Sequence, residues 1–321
     1  MTPSSAAADK QRDIVTESFA FPLPRGITPP VATANTEVSC VWPAGARLGE
    51  SPTWDAEEGV LYWVDIDGRR IYRYGPDDDV REVFEVDRRV GAIALRRRDG
   101  FVVAAERDVA FWRPGAGFDV IATPEINPDT RLNDGKCDPH GRFWFGSMHE
   151  PQRDAVGSLY RLSPGGEVAV ADTQYCVANG PAFSPDGSTA YHTDSRRGVI
   201  YAFDCQLDGE LCRRRTFVRI DPAQGVPDGM TVDAEGGLWV AHFGGARVTR
   251  FTTDGRVDRI IALPVSNVTS ACFGGDDLST LFITTASTGL DAAQREQPPL
   301  AGGLFAVSLD IRGLPSPRYA G

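Results

Sequence analysis

The chain is expected to fold as an all-β, six-bladed β-propeller with four-stranded blades, the ring closed by an N-terminal strand. Three observations lead there: a six-fold recurrence of one layout, strand-like runs at each recurrence, and a strand left over before the first blade where the last blade is one short. The layout is plainest at Asn179-Gly-Pro-Ala-Phe-Ser-Pro-Asp-Gly187, where a short apolar run enters a Pro-Asp-Gly turn. It returns at Glu50-Ser-Pro-Thr-Trp-Asp55, Asn133-Asp-Gly-Lys-Cys-Asp138 and Asp228-Gly-Met-Thr-Val-Asp233, and more weakly at Val90 and Thr269. First positions at 50, 90, 133, 179, 228 and 269 are separated by 40, 43, 46, 49 and 41 residues. A period in the forties with turn chemistry at a fixed phase is that of propeller blades.

Each anchor is followed by a second strand rich in aromatic and β-branched residues, such as Val60–Asp65 and Leu238–His242, and by a third, such as Arg70–Tyr74 and Arg247–Phe251. Fourth strands are visible for the first five blades. After Leu309 only a short Gly/Pro-rich tail remains, so the sixth blade lacks one. The orphan run Glu37–Pro43 lies ahead of the first blade and can supply it, which removes the open edge. Residues 1–36, rich in Ala, Ser, Thr and Pro, are expected to be an extended or partly disordered arm, and 37–321 a single domain. No helical period of useful length occurs.

Composition narrows the partners. A formal charge of −11 argues against a nucleic-acid backbone. No apolar run reaches the eighteen or so residues of a membrane span, and no signal-peptide pattern is evident, so a cytoplasmic location is expected. The six cysteines include no CxxC, and several fall on strands, so buried free thiols are expected.

The common catalytic motifs are missing. There is no Gly-x-Ser-x-Gly elbow, no HExxH, no Walker loop and no GxGxxG opening a helix. Metal-assisted chemistry is left as the leading enzymatic reading. Innermost strands ring a propeller's axis, and equivalent positions on them share one height. Those positions hold Glu50, Val90, Asn133, Asn179, Asp228 and Thr269. Glu50, Asn179 and Asp228 offer two carboxylates and one amide oxygen, a set that neutralises one divalent cation and leaves room for water or substrate. Oxygen donors favour Ca²⁺, with Mg²⁺, Mn²⁺, Zn²⁺ and Fe²⁺ as alternatives. Asn133 is placed either to ligate the ion or to bind a ligand, and Arg131 to hold a polar or anionic substrate. Asp65, Glu106, Asp194, His242 and His149 sit at or just past the ends of second strands, near the same mouth, as further candidates.

At these residues the sequence resembles the SMP-30/gluconolactonase/LRE family. Gly49-Glu50-Ser51-Pro52, Arg131-Leu132-Asn133-Asp134-Gly135-Lys136, Asn179-Gly180 and Pro227-Asp228-Gly229-Met230 match its motifs in order, over roughly residues 45–310. The resemblance implies a metal-dependent sugar lactonase that opens an aldonolactone to its aldonic acid. It implies that Glu50, Asn179 and Asp228 bind the metal, that Asp228 is also the general base, and that Arg131 and Asn133 bind substrate. The family's substrate-binding glutamate falls at Pro151, and the adjacent Glu150 is assigned that role. Phosphotriesterase or arylesterase chemistry at the same ion, and a non-enzymatic Ca²⁺-binding propeller, are the alternatives.

Overall fold

The computed structural model describes residues 37–290 and 300–321; the expected N-terminal arm lies outside the described residues. Twenty-four strands, β1–β24 along the chain, form six four-stranded antiparallel sheets. Five sheets are built from consecutive strands. The sixth joins three C-terminal strands to β1 (Ser39–Trp42), which pairs antiparallel with β24 (Leu304–Ser308). The ring is therefore closed by strands from both ends of the sequence, as the strand count requires.

The innermost strands are β2 (Gly49–Asp55), β6 (Val90–Leu95), β10 (Thr130–Cys137), β14 (Ala178–Phe183), β18 (Val226–Val232) and β22 (Val268–Gly274). They are buried almost throughout, whereas an outer strand such as β5 (Val80–Glu85) is largely exposed. This gradient explains the near-continuous apolar runs inside and the charged strands outside. The core lies between blades. Trp239, Phe273, Ile283 and Phe305 fill the space between the fifth and sixth, and Tyr62, Ile93 and Val103 that between the first and second. The closing seam is aromatic: Trp42 meets Trp63 and Tyr72 edge-on at 5.9 and 5.1 Å, and Trp54 stacks on Phe282 at 5.6 Å. Such pairs add about 0.5–1.5 kcal/mol each beyond burial.

The recurrent aspartate ending an inner strand has a structural task. Asp233 accepts the Glu235 and Gly237 backbone N–H groups on one oxygen, and Trp239 Nε1 and Arg250 Nε on the other. Asp138 repeats the pattern with His140, Arg142 and Trp144. The turn and the second strand are thereby tied to the first. All six cysteines are free thiols, four of them buried. No helix of the described residues is long and apolar enough to cross a membrane.

The Gly/Pro-rich tail does more than end the chain. Gly313 N donates to Leu278 O, Arg318 pairs with Asp55 at 2.6 Å, Tyr319 N donates to Leu95 O and Ala320 N to Gly141 O. It thus crosses the face opposite the anchors. Leu314, Pro315, Ser316 and Pro317 floor an axial chamber of about 80 Å³ whose walls come from all six inner strands.

Candidate active site on the propeller axis

All six inner strands break register at the same phase. Irregularities fall between Glu50 and Thr53, Val90 and Ala92, Leu132 and Gly135, Asn179 and Ala182, Pro227 and Met230, and Val268 and Ser270. A bulge re-aims the side chains beside it, which is how a strand already paired on one side can turn a polar group toward the axis. Backbone outside the ordinary strand region accompanies two of them: Ser51 has φ +50° and Gly180 φ +75°. A Cβ on Gly180 would crowd the Met230 side chain at 3.1 Å.

The polar anchors meet. Arg131 Nη1 donates to Asn133 Oδ1 at 2.6 Å and to Leu132 O. Asn133 Nδ2 donates to Asn179 Oδ1 at 2.7 Å and to Ala178 O at 2.9 Å. Asn179 Nδ2 in turn donates to Ser195 Oγ at 2.8 Å. This chain of bonds fixes both amides. Arg131, Asn133 and Asn179 are all buried. Thr269 is the exception among the polar anchors: its hydroxyl bonds Gly49 O at 2.5 Å across the closing seam and Thr284 of its own blade.

Glu50 and Asp228 are 4% and 6% exposed, and neither has a cationic partner within 4 Å among the described residues. Burial, then Asp228 and Asp134, pushes the Glu50 carboxyl well above its usual range. Burial, then Asp134, does the same to Asp228, against the pull of the Gly229 N–H and the Asn179 amide. Burial and Arg89 lower the proton affinity of Arg131. Two buried carboxylates without an ion-pair partner among the described residues are costly unless a cation neutralises them. Among the described residues no three His, Cys, Asp or Glu side chains are arranged as a metal cluster. A three-donor set at Glu50 and Asp228 would need the Asn179 amide as its third member.

The other candidates separate. Asp65 accepts from Arg47 N, Leu48 N and Gly68 N, and Asp194 from Cys176 N, so both hold loops. His242 Nδ1 lies against Gln224 O, and His149 Nδ1 accepts from Asp154 N. Glu150 is gripped by Arg89 through two bonds of 2.9 Å, and Arg89 also holds Glu106 at 2.8 Å. Arg89 and Ser195 were not singled out in the sequence. Nothing in a linear reading places Arg89 between Glu106 of its own blade and Glu150 of the next, and Ser195 sits in a one-turn helix, Ser195–Arg197, outside the repeat's anchor phase.

A family profile described as the SMP-30/Gluconolactonase/LRE-like region matches residues 48–287. The chain belongs to the SMP-30/gluconolactonase/LRE-like family. Members similar to it include regucalcin of Xenopus laevis, 34% identical over 298 residues, covering 90% of this chain and 100% of that protein. A 6-deoxy-6-sulfogluconolactonase of Pseudomonas putida is 35% identical over 292 residues, covering 89% and 100%. A solved member, the calcium-binding protein regucalcin of Agrobacterium tumefaciens, superposes with a TM-score of 0.83 at 26% identity, covering 87% of this chain and 96% of that one. In this SMP-30/gluconolactonase/LRE-like chain the matched span runs from the first inner strand to just past the last second strand. It contains every polar anchor.

Proposed function

We propose that this protein hydrolyses a sugar lactone to its aldonic acid, using one divalent cation held by Glu50, Asn179 and Asp228. The observation that carries the reading is the pair of buried carboxylates, Glu50 and Asp228, without an ion-pair partner among the described residues and beside the Asn179 amide, whose oxygen Asn133 holds. Similar proteins whose names specify a gluconolactonase and a calcium-binding protein support the substrate class and favour Ca²⁺ as the ion.

When bound there, the cation supplies a Lewis acid that polarises the lactone carbonyl. Arg131 has spare capacity for substrate, because only Nη1 bonds the protein among the described residues. Its remaining donors hold sugar hydroxyls, and Asn133, whose amide N–H groups are given to Asn179 Oδ1 and Ala178 O, orients the substrate through Arg131. Asp228 takes a proton from the water that attacks the carbonyl carbon. The ring C–O bond then breaks, and the departing alkoxide takes up a proton to give the hydroxy acid. A positioned base contributes typically about 10²–10⁴-fold. Glu150 lines the mouth with Arg89 and meets the far end of the sugar.

The test is a panel of aldonolactones, organophosphates and aryl esters. It is run on protein stripped with chelator and restored with Ca²⁺, Mg²⁺, Mn²⁺, Zn²⁺ or Fe²⁺ in turn. Lactone turnover that returns with an ion and is lost in Asp228→Ala is the expected result. Unchanged turnover in a folded Asp228→Ala protein, or turnover only on the other ester classes, refutes the reading.

A further inference from the structure

We propose that buried Asp134 and partly buried Lys136 form a charge-balancing pair behind the candidate cation site, and that this pair sets the site's affinity for a divalent ion. The inference rests on the cation reading above.

Both residues lie on β10, just beyond Asn133, and reach across to β14 and β18, the next two inner strands around the ring. Asp134 is 5% exposed; its Oδ2 accepts Gly180 N at 2.9 Å and its Oδ1 accepts Gly135 N at 2.8 Å. Gly180 directly follows Asn179. Lys136 Nζ donates to Met230 O at 2.8 Å, two residues beyond Asp228. One strand of the third blade therefore braces the backbone behind a candidate ligand on the fourth blade and another on the fifth. Lys136 is partly buried and lines the axial chamber above the tail. It is one of only two lysines in the chain. Neither Asp134 nor Lys136 has an ion-pair partner within 4 Å among the described residues.

The charges explain the arrangement. Glu50, Asp134 and Asp228 carry three negative charges and Lys136 one positive. At the mouth, Arg89 and Arg131 are offset by Glu106 and Glu150. The axial group is thus two charges short of neutrality, which is one divalent cation. Asp134 and Lys136 attract each other, and Asp134 also acts on both Glu50 and Asp228. Removing Asp134's charge leaves a bound dication facing an unbalanced ammonium. Removing Lys136's charge leaves the ion facing three carboxylates.

The experiment is a calorimetric titration of Ca²⁺ alone into chelator-stripped wild type, Asp134→Asn, Lys136→Gln and the double variant, at one pH and ionic strength. Gln keeps a donor for Met230 O, and Asn keeps an acceptor for Gly180 N at the loss of the Gly135 N bond; the double variant separates that loss from the effect of charge. Unfolding in chelator verifies that each variant is folded. Should Lys136→Gln not fold, Lys136→Met carries the same prediction. Asp134→Asn is expected to weaken binding roughly tenfold or more and Lys136→Gln to tighten it, as a unit charge a few ångströms away does at an effective dielectric near 20. The double variant returns to within about threefold of wild type, because the two changes cancel rather than add. Weakening in both single variants, with the double variant weaker still, marks a purely structural role and overturns the inference alone. Failure of the wild type to bind Ca²⁺, Mg²⁺ or Mn²⁺ overturns the cation reading and this inference with it.

Discussion

Glu50→Gln is expected to make the cation-free protein more stable at neutral pH while abolishing its response to the ion. The carboxylate is 4% exposed and has one hydrogen bond, from Ser51 N to Oε2 at 3.1 Å. Its nearest charges of consequence, Asp228 and Asp134, repel it. The effective cost of burying an unpaired ion is several kcal/mol. Exchanging a charged acceptor for a neutral one at Ser51 N gives back about 1 kcal/mol of that. The net gain is then about 1–3 kcal/mol in chelator. The pH dependence has a definite sign. The folded carboxyl holds its proton to higher pH than the unfolded one near 4.5, so the cation-free wild type loses stability as pH rises from 4.5 through the raised folded value. The Gln variant lacks that decline. In saturating ion the order inverts, because the wild type gains roughly 2.7 kcal/mol at a hundred times Kd and the variant almost nothing. Guanidinium unfolding followed by tryptophan fluorescence, with and without chelator between pH 5 and 8, measures all four quantities. A Gln variant less stable than wild type in chelator refutes the account of Glu50 as a buried charge awaiting a cation. So does one that keeps the full stabilisation by the ion.

Three further outcomes follow from neighbouring contacts. Ser195→Ala frees the Asn179 amide from its 2.8 Å anchor and should weaken ion binding several-fold, while stability changes by no more than about 1 kcal/mol; titration and unfolding together separate the two. Arg89→Ala releases Glu150 and Glu106, so KM for the lactone should rise with little change in kcat, and Glu150→Ala added to it should bring no further rise if the two act as one unit. His192 is fully buried, its two ring nitrogens lack partners among the described residues, and burial pushes its pKa down from 6.5 to about 3. The unfolded chain therefore takes up that proton first as pH falls, and stability is lost below 6.5. His192→Phe should lose roughly 2–3 kcal/mol less than wild type between pH 7 and 4.5, and equal losses by denaturant unfolding refute this.

The fold was legible because a propeller writes its architecture along the chain. Each blade repeats one turn at one phase, and a missing fourth strand after Leu309 beside an unclaimed Ser39–Trp42 leaves a single way to close the ring. Phase also brought forward the residues that meet on the axis: a side chain's height in the channel is set by its place on the inner strand, so Asn133 and Asn179, 46 residues apart, stand in hydrogen-bonding contact. Phase says nothing, however, about which groups a side chain finds there. Asp65 and Asp194 looked like mouth residues because they end second strands, yet the same ends are where loops need acceptors for free N–H groups, and those N–H groups claimed them. Glu150 is read as a substrate group from its place in sequence, but Arg89 of the preceding blade holds both its oxygens, so any role in binding sugar belongs to the pair. Asp134 and Lys136 stood in full view inside a quoted motif. Their significance depends on reaching two blades at once and on the total charge around one axis, and neither quantity exists until the ring is closed.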